Sequence, residues 1–205
     1  MYYTLTMAEE KELLTILSKD EYKAVLTHLK KELGNPRVQK RLSLQSDNYD
    51  QVDIDTRIRI TNRKVEFIQK IGDWKNITKG KARTEISIPL QNDTKIVLDF
   101  YKIIRNLLQG TSVENIVMQY ESLIWKKKEF EIKLTHQYGK SDAYNCEVEV
   151  FNHTLEPDVL ASKYNIPIHL PTQTPNFWRK WNKKVNLNSD ELSDEGLLEI
   201  IKRYL

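Results

Sequence analysis

Cysteine and histidine are scarce in this sequence of 205 residues, which has one cysteine and four histidines. A single cysteine excludes an intramolecular disulfide, so we expect a reducing compartment, most simply the cytoplasm. Cys146 falls on the apolar side of its predicted strand, as a small core residue would. His28, His136, His153 and His169 are scattered rather than paired at zinc-binding spacing, so no zinc site is predicted.

Long apolar runs and familiar catalytic motifs are also missing. No stretch approaches the roughly 20 apolar residues of a membrane helix, and the first residues lack the basic and apolar regions of a signal peptide. The absence of G-x-x-x-x-G-K-[ST], G-x-G-x-x-G and G-x-S-x-G excludes the usual phosphate loops and the nucleophile elbow. With 40% hydrophobic residues, 30% charged residues and a net charge of +3, we expect one globular domain over residues 1–205.

Stretches in which apolar and polar residues alternate are abundant and indicate β-strands. They cover residues 37–46, 56–61, 65–71, 83–90, 116–125, 128–136 and 144–151. Asn62-Arg63 predicts a hairpin turn between the second and third of these. Residues 10–17 fit either a strand or the start of a helix.

Four stretches predict helices. Ser18 and Glu21 form a capping-box pattern, and Gly34 ends the helix that follows. Residues 93–108 are amphipathic, and residues 157–164 and 193–204 predict two shorter helices. Seven or eight strands with three or four helices indicate an α+β domain that is mainly antiparallel β.

Charged residues occupy every second position of several strands, and therefore share one face. The pairs that share a face are Arg57 with Arg59, Arg83 with Glu85, Glu131 with Lys133, and Glu147 with Glu149. One interpretation is a sheet with one face in water. The other is a barrel lined by charge, in which arginines hold phosphate oxygens and paired carboxylates hold Mg²⁺ or Mn²⁺.

The order of these motifs resembles the CYTH, or triphosphate tunnel metalloenzyme, superfamily over about residues 10–151. The matching segments are Glu10-Lys11-Glu12 for the acidic opening strand, Thr56-Arg57-Ile58-Arg59 for L-R-I-R, Lys70 for the lysine of the next strand, Arg83-Thr84-Glu85-Ile86-Ser87 for R-x-E-x-E, and Glu147-Val148-Glu149 for the late acidic strand. The resemblance implies an eight-stranded antiparallel tunnel barrel with flanking helices.

The resemblance also implies a role for each matched residue. The metal ligands for Mg²⁺ or Mn²⁺ would be Glu10, Glu12, Glu147 and Glu149. The phosphate-binding residues would be Arg57, Arg59, Lys70 and Arg83, to which we add Lys133. Glu85 and Lys70 would be the catalytic pair, with Glu85 lining the tunnel to help hold a second metal or orient water. The nucleophile would be a metal-activated water.

Three functions are compatible with that resemblance. The first is hydrolysis of a triphosphate: inorganic tripolyphosphate, thiamine triphosphate, a nucleoside triphosphate or an RNA 5′-triphosphate end. The second is a class IV-type adenylate cyclase. The third is a non-catalytic binder of a phosphorylated ligand. We expect a polyphosphate or nucleotide as partner, an RNA 5′ end as a further candidate, and no membrane.

Three positions depart from the family pattern. Leu14 stands where the family has lysine, Gln119-Tyr120-Glu121 stands where it has K-x-R, and Ser87 replaces the second glutamate of the R-x-E-x-E strand. The lost cations favour the non-catalytic binder more than either enzyme.

Residues 177–184 mix aromatic and basic side chains. Such a run can stack bases and contact phosphates, but it more often caps a barrel mouth with its aromatic rings buried. It is also a possible source of cations in place of those missing around Gln119.

Overall fold

An antiparallel sheet forms the frame of the molecule in the computed structural model, which describes residues 11–48, 54–71, 84–110, 113–151, 154–169 and 175–205. Its strands are β1 (Lys11–Leu17), β2 (Arg37–Asn48), β3 (Ile54–Thr61), β4 (Lys64–Ile71), β5 (Thr84–Leu90), β6 (Val113–Lys126), β7 (Phe130–Tyr138), β8 (Ala143–Val150) and β9 (Leu187–Asn188). The helices are α1 (Lys19–Leu33), α2 (Thr94–Leu107), α3 (Pro157–Lys163), α4 (Pro175–Val185) and α5 (Asp194–Lys202).

The strands follow the order β1-β8-β7-β6-β2-β3-β4-β5, and the short β9 pairs with β6. All pairings are antiparallel. Over the described residues β1 and β5 are the two ends of this path and do not pair, so hydrogen bonds do not close the ring. The predicted α+β architecture of antiparallel strands with flanking helices is confirmed, and residues 11–17 form a strand rather than a helix.

The outer face of the sheet is apolar, and four of the helices cover it. Around β7 and β8, Leu29 of α1 and Ala161 of α3 pack with Ile132, Cys146 and Val148. Cys146 is fully buried, as predicted, and this burial raises the pKa of its thiol far above the usual value. The first core therefore fastens α1 and α3 to one half of the sheet.

A second core fastens α2 and α5 to the other half. Tyr101 of α2 and Ile201 of α5 pack with Leu42, Leu44 and Ile58 on β2 and β3, and all five are fully buried. Because side chains alternate along a strand, the residues between these apolar positions lie on the opposite, inner face.

The inner face carries the charged residues. Residues that are directly paired in antiparallel strands share a face, which places Arg41, Arg59 and Glu147 on it. The charge of Glu147 on β8 acts on Arg41 of β2, although β6 and β7 lie between these strands. The sheet therefore curls so that its charged face is enclosed, which favours the lined barrel over a flat, solvated sheet.

Local sequence explains the turns and caps. Ser18 and Glu21 form the predicted capping box of α1. Asn62 and Arg63 both have positive φ, 47° and 70°, as a two-residue hairpin turn requires. The Asn62 side chain also accepts a hydrogen bond from the backbone of Lys40, at 3.1 Å, and so holds the turn against β2.

The sequence predicted neither α4 nor β9. Among the described helices, none combines the length and hydropathy needed to cross a membrane.

The packing of α1 on the first core predicts how a cavity at Leu29 would change the free energy of unfolding. Leu29 is fully buried, so we expect Leu29→Ala to lower the free energy of unfolding by about 2–5 kcal/mol. The neighbouring exposed Lys30 on the same helix is the matched control, and Lys30→Ala should change it by less than about 0.5 kcal/mol. Urea unfolding followed by circular dichroism measures both, and equal effects would contradict this packing.

Candidate functional site

A cluster of alternating charges lies on the inner faces of β3, β4 and β5, at one end of the strand order. The Arg59 guanidinium lies 3.2 Å from a Glu66 carboxylate oxygen and 3.4 Å from one of Glu85. Lys70 pairs with Glu85 in register and reaches its other oxygen at 2.9 Å. Partial burial raises the pKa of Glu85, but Lys70, Arg59 and Arg57 outweigh it, so the pKa is lowered overall. The sequence-predicted Arg59, Lys70 and Glu85 are thus brought together.

Arg57 is held by a carboxylate that sequence reasoning missed. Its Nε lies 2.9 Å from Asp55 Oδ1, and a second nitrogen bonds the other oxygen. Burial alone would lower the pKa of Arg57, but the charge and hydrogen bonds of Asp55 raise it overall. Asp55 is only 2% exposed. The pattern Asp55-x-Arg57-x-Arg59 placed this carboxylate on the charged face, which was the available clue.

The carboxylates of β8 lie on the same face, beside β7 and β1. Glu147 forms an ion pair with Lys133. Glu149 is paired in register with Glu131 on one side and with Glu12 on the other. Glu10 and Arg83 lie outside the described residues. Within the described ranges, no three His, Cys, Asp or Glu side chains converge closely enough to hold a metal ion.

Strand β6 requires a correction. Gln119 and Glu121 stand in the sequence where the family has two cations, but the register places both on the outer face. Gln119 is buried there and accepts a hydrogen bond from the Tyr204 hydroxyl at 3.3 Å, while Glu121 faces Lys40 at 4.0 Å. The inner-face residues at this level are Met118, Tyr120 and Ser122. The two cations of the family are therefore missing at this level of the inner face, where Tyr120 lies instead.

The other two departures, Leu14 and Ser87, do lie on the inner face. Leu14 is paired in register with Glu147, so an apolar side chain adjoins the acidic strand. Ser87 donates a hydrogen bond to Glu66 at 3.0 Å. A carboxylate therefore stands beside Ser87, contributed by β4 rather than by β5.

Helix α4 lies across one end, or mouth, of the curled sheet, which agrees with the mouth-capping interpretation of residues 177–184 in position, but its aromatic rings are half-buried rather than buried. The Trp181 indole donates to Gln137 of β7 at 3.3 Å. Arg179 and Lys183 reach Glu114 of β6 at 3.0 and 3.3 Å. The three aromatic rings of the helix pack against one another. The helix thus brings two cations to the start of β6, at the opposite end of the strand from Lys126, which the register places on the inner face beside Glu131.

Gly139 allows this helix to come close. A Cβ on Gly139 would lie 2.6 Å from the backbone oxygen of Val185, the last residue of α4. The backbone of Lys140 donates to that same oxygen at 2.8 Å. A side chain at residue 139 would therefore displace the end of α4 from the β7–β8 turn.

A carboxyl group with an unusual pKa lies near the same mouth. Partial burial and the nearby charge of Asp55 raise the pKa of Asp47 to about 6. The Gln45 amide and Arg57 act in the opposite direction, and Glu114 acts with Asp55. Asp47 thus exchanges its proton near neutral pH. Sequence reasoning missed Asp47 because its strand was predicted only as far as residue 46.

Comparisons with known proteins bear on the fold. No family model matches the sequence, and no curated protein matches it. Among solved structures, a candidate adenylate cyclase from Bacillus halodurans is 18% identical with a TM-score of 0.55, covering 80% of this chain and 94% of that one. A candidate adenylyl cyclase from Hippeastrum with a dominant triphosphatase activity is 14% identical with a TM-score of 0.50, covering 83% and 95%.

The Mediator head module of Schizosaccharomyces pombe contains a chain that is also similar. It is 13% identical with a TM-score of 0.50, and the match covers 76% of this chain and 88% of that one. The likenesses to the cyclase and triphosphatase structures confirm the resemblance seen in the sequence: this chain has the fold of CYTH-type proteins.

The raised pKa of Asp47 predicts a pH-dependent stability. In the unfolded chain the carboxyl has its ordinary pKa of 3.8, whereas in the folded protein it is about 6. The folded state therefore binds the proton more tightly between these values. The stabilisation from protonated Asp47 is complete below pH 3.8 and is lost as pH rises through 6.

Asp47→Asn should therefore stabilise the protein above the pKa of Asp47. We expect a gain of about 1–2 kcal/mol at pH 8, less than the full value of the shift because the side chain is only partly buried, and almost none at pH 4. Thermal unfolding at both pH values measures it, with Asp99→Asn on the exposed face of α2 as control. An equal gain at the two pH values would contradict the assignment.

Proposed function

We propose that this protein is a metal-dependent hydrolase of a triphosphate. The observation that carries the proposal is a single inner face with Arg57, Arg59 and Lys70 of β3 and β4 beside Glu85 of β5, and with further carboxylates on β8 and β1. A triphosphate complexed with a divalent cation carries both signs of charge, and this face offers partners for both. The CYTH fold agrees with that chemistry, since the Hippeastrum protein, whose structure is similar, has a dominant triphosphatase activity.

The phosphate-binding half consists of Arg57, Arg59 and Lys70, with Lys133 across the lumen. Arginine forks suit phosphate oxygens because they donate two parallel hydrogen bonds. In the absence of ligand each of these cations is paired with a carboxylate. Such pairs hold the cations in place, and they are weak enough at partly exposed sites to exchange for phosphate.

The metal-binding half would be Glu12, Glu147 and Glu149. Carboxylate oxygens are the donors that Mg²⁺ and Mn²⁺ prefer, and the register places Glu12 opposite Glu149 with Glu147 two residues away on the same face. These residues supply the right donor type on one face, although in the described structure their side chains do not converge on one point, so a divalent cation would have to draw them together. Glu10, the fourth ligand implied by the resemblance, lies outside the described residues. When bound, the metal would neutralise phosphate charge and lower the pKa of a coordinated water.

Side chains of the protein would bind the phosphates and orient the attacking water. Arg57 and Arg59 would fix the phosphate chain and stabilise the charge that develops on it. Lys70 keeps Glu85 ionised and oriented, so Glu85 is ready to accept a hydrogen bond from the attacking water. A cyclase on the same scaffold would instead use a ribose hydroxyl as nucleophile, and the two activities differ in their products.

A non-catalytic binder is the second candidate. It is favoured by β6, where the inner face has Met118, Tyr120 and Ser122 in place of cations, and by Leu14 on β1. A binder would retain affinity for a triphosphate with metal but would release no phosphate over hours.

Substitutions at the two halves of the site test the hydrolase. Tripolyphosphate, thiamine triphosphate, a nucleoside triphosphate and a 5′-triphosphate RNA should be offered with Mg²⁺ or Mn²⁺, with phosphate release and nucleotide chromatography as readouts. We expect chelator to abolish turnover, and Glu147→Gln and Arg59→Ala each to reduce it by at least about 100-fold, because each removes a charge that neutralises the substrate complex.

Matched controls lie on the outer face. Glu121→Gln and Arg203→Ala make the same chemical changes away from the lumen and should leave turnover within about two-fold. Full activity of Glu147→Gln and Arg59→Ala would show that the proposed site is wrong. Cyclic nucleotide with pyrophosphate as products would identify the cyclase, and tight binding without products would identify the binder.

A further inference from the structure

Arg41, which sequence reasoning missed, lies half-buried on the inner face of β2 without an ionic partner. Its guanidinium donates to the Thr61 hydroxyl and to Gln39 Oε1, both at 3.3 Å and both neutral. Among the described residues no carboxylate lies within ion-pair distance of it. The other inner-face cations of the proposed site, Arg57 and Arg59 among them, each have such a partner.

Two hydroxyl groups beside Arg41 also lack a good hydrogen-bond acceptor among the described residues. Ser43 is the next inner-face residue of β2; it is fully buried, and its hydroxyl has no partner in the described part of the chain. Tyr120 is paired in register with Arg41, and its hydroxyl donates only to the sulfur of Met118. A thioether is a weak acceptor, so two hydroxyl donors without a strong acceptor lie beside a guanidinium whose partners are all neutral. Leaving a buried polar group unmatched costs free energy.

The electrostatics of the same place favour an anion. Partial burial and the positive charge of Arg59 lower the pKa of Arg41. Burial raises the pKa of Tyr120 to about 12, so its hydroxyl keeps its proton and remains a donor at neutral pH. Arg59 lies directly opposite Ser43 in register, so two guanidinium groups flank the Ser43 hydroxyl.

We propose that Arg41, Ser43 and Tyr120 form, together with Arg59, a further subsite that binds one phosphoryl group of the triphosphate. The inference rests on the proposed function and adds residues to it. A phosphoryl group is acceptor-only and can take hydrogen bonds from all of these donors at once. The subsite lies on β2 and β6, the latter being the strand that lacks the family's two cations, and so replaces that charge by a half-buried arginine and a phenol.

The extent of the subsite follows from the next residue of the strand. Gln45 leaves its Oε1 without a partner and gives its amide to Asp47. The donors therefore end at Ser43, and acceptors begin at Gln45 and continue to Asp47. A phosphoryl group fits on the Arg41 side of this boundary and would be repelled on the other.

The melting temperature of an Arg41 variant distinguishes a ligand-binding role of this residue from a purely structural one. A structural arginine would stabilise the fold, so Arg41→Gln would lower the melting temperature. A ligand-binding arginine that is crowded by Arg59 has the opposite effect, because its removal relieves repulsion in the free protein. We expect the ligand-free melting temperature of Arg41→Gln to be unchanged or higher.

Binding without turnover tests the subsite directly. Tripolyphosphate is titrated calorimetrically into the full chain with chelator present, which separates binding from hydrolysis. We expect affinity to fall about ten-fold or more for Arg41→Gln and about three- to ten-fold for Tyr120→Phe, as the loss of a charged and of a neutral hydrogen bond predicts. Arg41→Lys should recover part of the loss. Lys40→Gln, on the outer face of the same strand, should bind within about two-fold of the wild type.

The outcomes distinguish the two proposals. If Arg59→Ala abolishes binding while Arg41→Gln and Tyr120→Phe bind as the wild type does, the subsite is wrong and the proposed function stands. If the wild type binds tripolyphosphate neither with chelator nor with Mg²⁺ present, and releases phosphate from none of the four substrates, both proposals fail. A lowered melting temperature with unchanged affinity for Arg41→Gln would assign Arg41 a structural role only.

Discussion

The structure depends on keeping charged side chains inside a curled sheet. A charge that leaves water must find a partner, because its desolvation otherwise outweighs what folding gains. Arg59 meets this requirement between Glu66 and Glu85, and Arg57 meets it with Asp55. Since these ion pairs occupy much of the inner face, most apolar residues of the strands lie on the outer face. That face in turn needs α1, α2, α3 and α5 to cover it, so the two separate cores and the flanking helices follow from the charged interior.

The same pairs explain how a site can be both ordered and available. Partly exposed ion pairs contribute only about 0.2–1 kcal/mol each, so exchanging a carboxylate for a phosphate oxygen costs little. Lys70 and Glu85, about one third exposed, are of this kind. Asp55 is different because it is almost fully buried, and its partner Arg57 is correspondingly less free to change partners. Of Arg57 and Arg59, Arg59 is therefore better able to exchange its carboxylate partner for a ligand.

Alternation along the strands predicted most of the fold, and the reasons for the failures are physical. Strands such as β3 and β8 keep apolar and charged residues strictly apart, so their faces can be read directly from the sequence. On β6 the residues Ile116, Val117 and Met118 are all buried, on both faces, so the pattern does not reveal which side Gln119 faces. On β2 the outward Lys40 obscures the inward Arg41. Helix α4 depends on its contacts with Gln137 and Glu114 at the mouth, and short helices generally gain their stability from such packing rather than from local propensity.

The chemistry of β6 has a consequence for the whole inner face. A phenol such as Tyr120 can donate a hydrogen bond to a phosphate, but it adds no positive charge. Arg41 contributes one charge nearby, and α4 brings Arg179 and Lys183 only as far as Glu114, which already engages them. A triphosphate on this face would therefore be neutralised less completely by protein cations than in a site with two cations on β6. The divalent cation would then carry a larger share of the charge, so affinity for substrate should depend more strongly on metal than on any single arginine.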